Sequence, residues 1–236
     1  MIYDIFFLSY REPSAEANWE RLIESFPWAR RIDNIAGIHK AHLKVFESAE
    51  SEFFFIVDGD NSLLPDFHFD VHFKPEPDTV YVWRCKNPVN DLVYGYGGVK
   101  LYHRSMKQAL IDKPAIDIAT SLGVHYRPVP TIASITSFNT SPFDSWRSAF
   151  REAGKLQINL LKNSKDLHSE QRLKIWCEKG EGRPFGRWCL LGARAGKAFI
   201  LKNQNHPEHW SHLNDFEWLR GLFPLQTVES PLEAPL

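Results

Sequence analysis

Two carboxylates one residue apart, Asp58 and Asp60, follow directly on the apolar run Phe53-Phe54-Phe55-Ile56-Val57. Like charges this close repel each other unless a cation lies between them, and hard oxygen donors favour Mg²⁺ or Mn²⁺ over softer metals. Such a pair supports the capture of a divalent ion and, through it, of a diphosphate. Asp-Gly-Asp is also an ordinary turn sequence, because Gly and Asp are among the leading turn residues. Context favours the ligand reading. An unbroken apolar run reads as a strand buried on both faces, and ligands of open α/β sheets gather at the carboxyl ends of such strands.

The elements that must position this pair are legible upstream. Met1 to Leu8 is a second apolar strand, followed by the polar turn Ser9-Tyr10-Arg11-Glu12-Pro13. A helical stretch runs from Ala15 to Phe26, then a short segment from Ala29 to Ile32 ends in Asp33-Asn34. After Gly37, apolar residues recur at Ile38, Ala41, Val45 and Ala49, which is helical spacing. The order β-α-β-α-β predicts an α/β fold with a mostly parallel central sheet flanked by helices.

Further along, Tyr81 to Arg84 reads as a strand, Asn87 to Asp91 as a turn, and Leu92 to Tyr102 as an extended segment. Gly97 and Gly98 within that segment mark a bulge or a place where a sugar ring lies against backbone. From Pro142 a helix is expected, with Trp146, Ala149, Phe150, Ala153, Leu156 and Leu160 on its apolar face. Asp144 falls in its first turn. Arg147 and Arg151, one turn apart, suit phosphate oxygens better than lysines would, because each guanidinium donates in a fork; a solvated basic stripe is the competing view. From Arg172 to Lys202 basic residues, glycines and aromatics alternate, so that Arg183, Arg187 and Trp188 are candidates for tracking a phosphate backbone. A solvated hairpin is the plainer alternative. His206, His209 and His212 crowd together further on without the spacing of a zinc site.

Composition fits one compact domain over residues 1–226 with a loose tail, 227–236, in a chain of 236 residues. The formal net charge of −1 means that the molecule as a whole does not attract nucleic acid, so any such binding must be local. Three cysteines, Cys85, Cys177 and Cys189, lack Cys-x-x-Cys spacing and argue against a disulfide framework or structural zinc. With neither an apolar stretch near membrane-spanning length nor a charged-then-apolar leader, no membrane association and a cytoplasmic location are expected.

The strand and helix order resembles the GT-A glycosyltransferase plan. Two longer segments, 87–101 and 137–152, resemble a family of small, largely bacteriophage glycosyltransferases. That family includes the enzymes that attach arabinose to 5-hydroxymethylcytosine in the DNA of T-even-like phages. The likeness runs from the first strand to Leu222. It implies a UDP-sugar donor, Mn²⁺ or Mg²⁺, and a modified DNA acceptor, in the host cytoplasm if the chain is phage-encoded. It also implies roles for residues. Tyr10 and Arg11 lie near the base and Asp33 near the base or ribose, Lys40 joins the donor set, and Asp58 and Asp60 hold ribose and metal with His212 or His209 completing the shell. Gly97, Gly98, Arg147 and Arg151 complete the donor site, and Arg183, Arg187 and Trp188 hold the acceptor. An inverting reaction needs a carboxylate base, for which Asp144, Asp91 and Asp117 are the candidates. Alternatives are a glycosyltransferase acting on protein or polysaccharide, a nucleotidyltransferase, and a non-catalytic DNA-binding module. Sugar, stereochemistry and oligomeric state are not written in the sequence.

Overall fold

Strand β1 (Asp4–Ser9) pairs in parallel with β2 (Arg30–Asp33) on one side and β3 (Phe53–Asp58) on the other. These are the expected strands, and helices α1 (Ala15–Ser25) and α2 (Ile38–Ser48) supply the expected crossovers. The computed structural model describes residues 3–95, 98–112, 118 and 125–223. Contacts divide the chain into two compact units, Met1–Phe138 and Asn139–Leu236. The tail at 227–236 lies outside the described residues.

The apolar run of β3 is buried on both faces because alternate residues enter two different cores. Phe55 and Val57 join Ile5, Phe7 and Leu22 of α1, whereas Phe54 and Ile56 join Phe6, Leu8 and the α2 residues Val45 and Phe46. Edge-to-face rings lock both sides, with Phe46 on Phe54 at 4.9 Å and Phe55 on Phe69 at 4.9 Å. Each phenylalanine buried in this way contributes roughly 1.5–3 kcal/mol. The parallel register sets Ser9 opposite Asp33 and Leu8 opposite Asp58, so the carboxyl ends of all three strands reach one edge.

The rest of the sheet reverses direction at β7 (Val99–His103), which lies antiparallel between β3 and β5 (Thr79–Lys86). Strand β8 (His125–Thr136) is parallel to β5, and the short β4 (Asn61–Leu63) and β6 (Val93–Tyr94) pair antiparallel with β8 and β5. The order is β2-β1-β3-β7-β5-β8-β4, with β6 on β5. Because β7 is antiparallel to both neighbours, β3 and β5 point the same way. The α/β architecture with a helix-flanked sheet agrees with the sequence reading. The helix α3 (Lys107–Asp112) follows β7.

The second unit is helical among the described residues. Helix α4 (Pro142–Lys162) buries Trp146, Ala149, Phe150, Ala153 and Leu156, the face expected from periodicity. The basic, glycine-rich stretch is not a hairpin. It forms helices α5 (Leu167–Glu178) and α6 (Gly186–Lys202), followed by a 3₁₀ segment (Pro207–Asn214) and α7 (Phe216–Leu222). Two of its glycines have a packing reason. A Cβ at Gly192 would run into the Trp146 carbonyl oxygen, and one at Gly196 into that of Phe150. Glycine therefore lets the α6 and α4 backbones touch. Gly196→Leu is expected to destabilise the protein by about 3 kcal/mol through overpacking; an unchanged urea midpoint by circular dichroism would contradict this helix contact. Among the described residues no helix is long and apolar enough to cross a membrane.

Candidate functional site at the carboxyl edge of the sheet

The turn after β3 is held from several sides by the elements it joins. The Gly59 backbone N–H donates to the Leu8 carbonyl at 2.8 Å, and Asn18 of α1 donates to the Gly59 carbonyl at 2.9 Å. A Cβ at Gly59 would stand 2.9 Å from the Ser9 Cβ, so the close approach requires glycine. Next in the chain, Asn61 donates its Nδ2 to Asp60 Oδ1 at 2.7 Å. Its own oxygen accepts from Ser134 Oγ at 2.8 Å and Thr136 Oγ1 at 2.9 Å, which fixes the amide's orientation. Beside this turn, Ser9 donates to Asp33 Oδ1 at 2.6 Å and accepts from Arg31 Nε at 3.1 Å, while Arg31 also pairs with Glu16 at 2.6 Å.

Four carboxylates thus share one sheet edge. Burial, reinforced by the charges of Asp58 and Glu12, pushes the Asp60 carboxyl up to about 7, against the opposing pull of Asn61 and Lys100. Asp60 keeps some accessible surface, yet enough protein surrounds it for burial to be the first cause. Burial also raises Glu12, opposed by the Tyr10 N–H that donates to it at 2.6 Å, and the charges of Asp58 and Asp33 raise it further. Asp58 differs from its neighbours. Lys100, from the middle strand β7, donates to both of its oxygens, at 3.0 Å and 2.8 Å.

Lys100 alters the charge argument made from sequence. The cation between the carboxylates was assigned there to a divalent metal, but for Asp58 an ammonium supplies it. Among the described residues, no group of three or more His, Cys, Asp or Glu side chains is arranged to hold a metal ion. His212, expected to complete a metal shell, belongs to the second unit, stacks on Trp218 at 4.8 Å and lies 4.0 Å from Asp215.

Other sequence candidates of the first unit occupy varied places. Tyr10 is exposed, with the guanidinium of Arg11 5.3 Å from its ring centre, and Arg11 itself has a left-handed φ of 63°. Lys40 is exposed on α2. Asp91 also has a left-handed φ, 58°, in the turn between β5 and β6, and pairs with Lys86 at 3.1 Å. Gly98 lies so close to Asn61 that any Cβ would collide with the asparagine side chain. Gly97 and Asp117 lie outside the described residues.

In the second unit, Asp144 acts as a helix-start residue. Ser141 accepts from its backbone N–H at 3.0 Å, and the Ser141 and Thr140 hydroxyls donate to its carboxylate at 2.7 Å and 3.1 Å. The Ser141 hydroxyl thereby satisfies one orphan backbone donor at the helix start and is itself held by the Asp144 carboxylate. Arg147 pairs with Asp144 at 3.4 Å and lies over the Phe216 ring at 4.1 Å. Arg151 donates to the Leu213 carbonyl at 2.9 Å and to Asn214 at 2.7 Å, tying the 3₁₀ segment to α4. Arg183 and Arg187 are exposed, while Trp188 is half-buried against Phe223 at 5.0 Å.

Comparison with known proteins adds little to this geometry. No family model matches the chain, and no curated protein matches it. Among solved structures, HddC from Yersinia pseudotuberculosis is similar at 15% identity, over 55% of this chain and 69% of that one, with a TM-score of 0.33. A likeness this slight carries no argument.

Ser9, Glu12, Asn61 and Lys100 were not singled out from the sequence. Ser9 and Glu12 read there as turn residues. Only Lys100 left a usable signal, a lysine flanked by Val99 and Leu101 in a strand, because buried lysines are rare unless paired.

Proposed function

We propose that the first unit binds a nucleoside diphosphate sugar along the carboxyl edge of β1, β2 and β3, and that the chain is a glycosyltransferase. One observation carries this reading: Glu12, Asp33, Asp58 and Asp60 converge on one edge, where burial and mutual repulsion push Glu12 and Asp60 upward. Crowding carboxylates together costs folding free energy, and such perturbed groups cluster at functional sites. Asp33, oriented by Ser9, accepts hydrogen bonds from ribose hydroxyls. The Asp58-Gly59-Asp60 turn faces the diphosphate, whose charge then needs a cation beside it. An acceptor hydroxyl attacks the anomeric carbon and gives its proton to a carboxylate base, the bond from that carbon to the diphosphate oxygen breaks, and the nucleoside diphosphate leaves with the bonding pair.

The resemblance of 87–101 and 137–152 to the phage family makes arabinose the proposed sugar and the hydroxymethyl group of modified cytosine in DNA the proposed acceptor. The exposed Arg183 and Arg187 are the proposed contacts to the DNA backbone. A second reading, transfer to protein or polysaccharide, is favoured by the net charge of −1. Incubating the chain with a panel of UDP-sugars and hydroxymethylated DNA separates these readings. A mass increment on the nucleoside supports the first; transfer to protein or glycan alone supports the second; DNA binding with no transfer to any acceptor leaves a binding module. The double variant Arg183→Glu, Arg187→Glu is expected to raise the KM for DNA by about tenfold or more and to flatten its salt dependence. Donor hydrolysis should change little. Equal loss of both activities would contradict an acceptor role.

A further inference from the structure

Among the described residues Lys100 is the only buried lysine or arginine, with 6% of its surface exposed. It sits in the middle of β7 with Val99 and Leu101 on either side, and it reaches only the ligand-facing edge. A buried ion pair is weak evidence for stability, because apolar residues of similar volume often serve the fold as well or better. Its position therefore calls for another reason. An ammonium carries three N–H donors. Two meet the oxygens of Asp58, at 3.0 Å and 2.8 Å, and the third has no partner among the described residues. Near it stands Asp60, on which the charges of Asp58 and Glu12 already press. An anionic diphosphate entering this edge needs positive charge, and no set of three ligands for a metal ion is present among the described residues.

We infer that Lys100 takes the place of a divalent cation at this edge, neutralising Asp58 and giving its remaining N–H to a phosphate oxygen of a nucleoside diphosphate. This rests on the donor reading above. Two consequences follow from an ammonium and a metal competing for one carboxylate. Nucleoside diphosphate binding is independent of metal, and Mn²⁺ binds weakly until the lysine is removed.

Both are measured on the full chain with UDP and Mn²⁺ as probes. In wild type, UDP affinity by calorimetry should agree between EDTA and excess Mn²⁺; a loss of about tenfold in EDTA, the worth of one charge-assisted contact, overturns the inference. Lys100→Met should weaken UDP about tenfold in EDTA, recover it with Mn²⁺, and bind Mn²⁺ alone more tightly than wild type by electron paramagnetic resonance. Rescue by metal is a response that a merely structural lysine would not give. Loss of UDP without rescue, or Mn²⁺ affinity no higher than wild type in a folded variant, overturns the proposal. Lys100→Arg keeps the charge and should behave as wild type. If Lys100→Met does not fold, the wild-type comparison in EDTA decides. If UDP binds under no condition, the donor reading fails, and the Mn²⁺ titration still decides the competition for Asp58.

Discussion

Lys100→Met is expected to lower the free energy of unfolding by about 3 kcal/mol, and adding Asp58→Asn to return much of that loss. Removing the ammonium strands the Asp58 carboxylate beside Asp60 and Glu12, whereas the double variant has no charge left to strand. The lower end of the range for buried pairs applies, because the Asp58 side chain retains 30% of its surface and water screens part of the interaction. Asp58→Asn alone leaves the ammonium without its partner and is expected to cost a similar amount. Urea unfolding of the three variants at one pH measures the cycle. If the two single changes simply add, the pair contributes nothing by interaction and the bidentate contact is incidental.

Asp60 sets the second large effect, a fall in stability as pH rises from about 4 to about 7. Its folded carboxyl titrates at about 7 against an ordinary value of 3.8, so between those values the native form holds a proton that the unfolded chain has lost. Stability falls with pH wherever the native state binds more protons, by up to about 1.4 kcal/mol per unit for one group. Glu12, raised by burial and its acidic neighbours, adds a fall of the same sign. Asp4 acts elsewhere on the scale. There burial is outweighed by the Ser51 and Glu50 N–H donors and Arg30, so its contribution is lost only as pH drops below the usual carboxylate range. Asp60→Asn should flatten most of the slope between pH 5 and 7. A wild-type urea midpoint that rises over this interval would contradict the crowding of these carboxylates, and so would a slope that Asp60→Asn leaves unchanged.

The parallel half of the sheet was readable because its signals are local. The run Phe53 to Val57 and the spacing of Ile38, Ala41, Val45 and Ala49 determine β3 and α2 with little help from distant residues. The helix from Pro142 was readable for the same reason. Strand β8 was not, since Pro128 and Pro130 argue against a strand. Both fall in its exposed first part, where it pairs with β5 while its pairing with β4 is confined to Ser134, Ile135 and Thr136. The stretch Leu92 to Tyr102 read as one extended piece, but the described parts are two strands with different roles, β6 against β5 and β7 at the middle of the sheet. Helix α6 was hidden by its glycines. Gly192 and Gly196 are each unfavourable in a helix by about 1 kcal/mol relative to alanine, and only the approach of the α4 backbone offsets that.

The candidate site divides along the same line. Asp33, Asp58 and Asp60 were visible because each ends an apolar or strand-like segment. Lys100 is a long-range feature that acquires meaning only when β7 is placed beside β3, opposite Ile56. Asp144, Arg147 and Arg151 were chosen for charges at helical spacing, and that spacing also serves the fold: the first in a reciprocal helix cap, the others against Phe216 and Leu213. Charge and spacing alone do not separate the two uses.

The most direct test is calorimetric titration of the full chain with uridine, guanosine, adenosine and cytidine diphosphates, repeated on Ser9→Ala and Asp33→Asn. The carboxyl-edge account predicts saturable binding of at least one of them at a single site, weakened about tenfold by Asp33→Asn through loss of a charged acceptor for the ribose. No saturable binding by any of the four, or an affinity that both variants leave untouched, would contradict it.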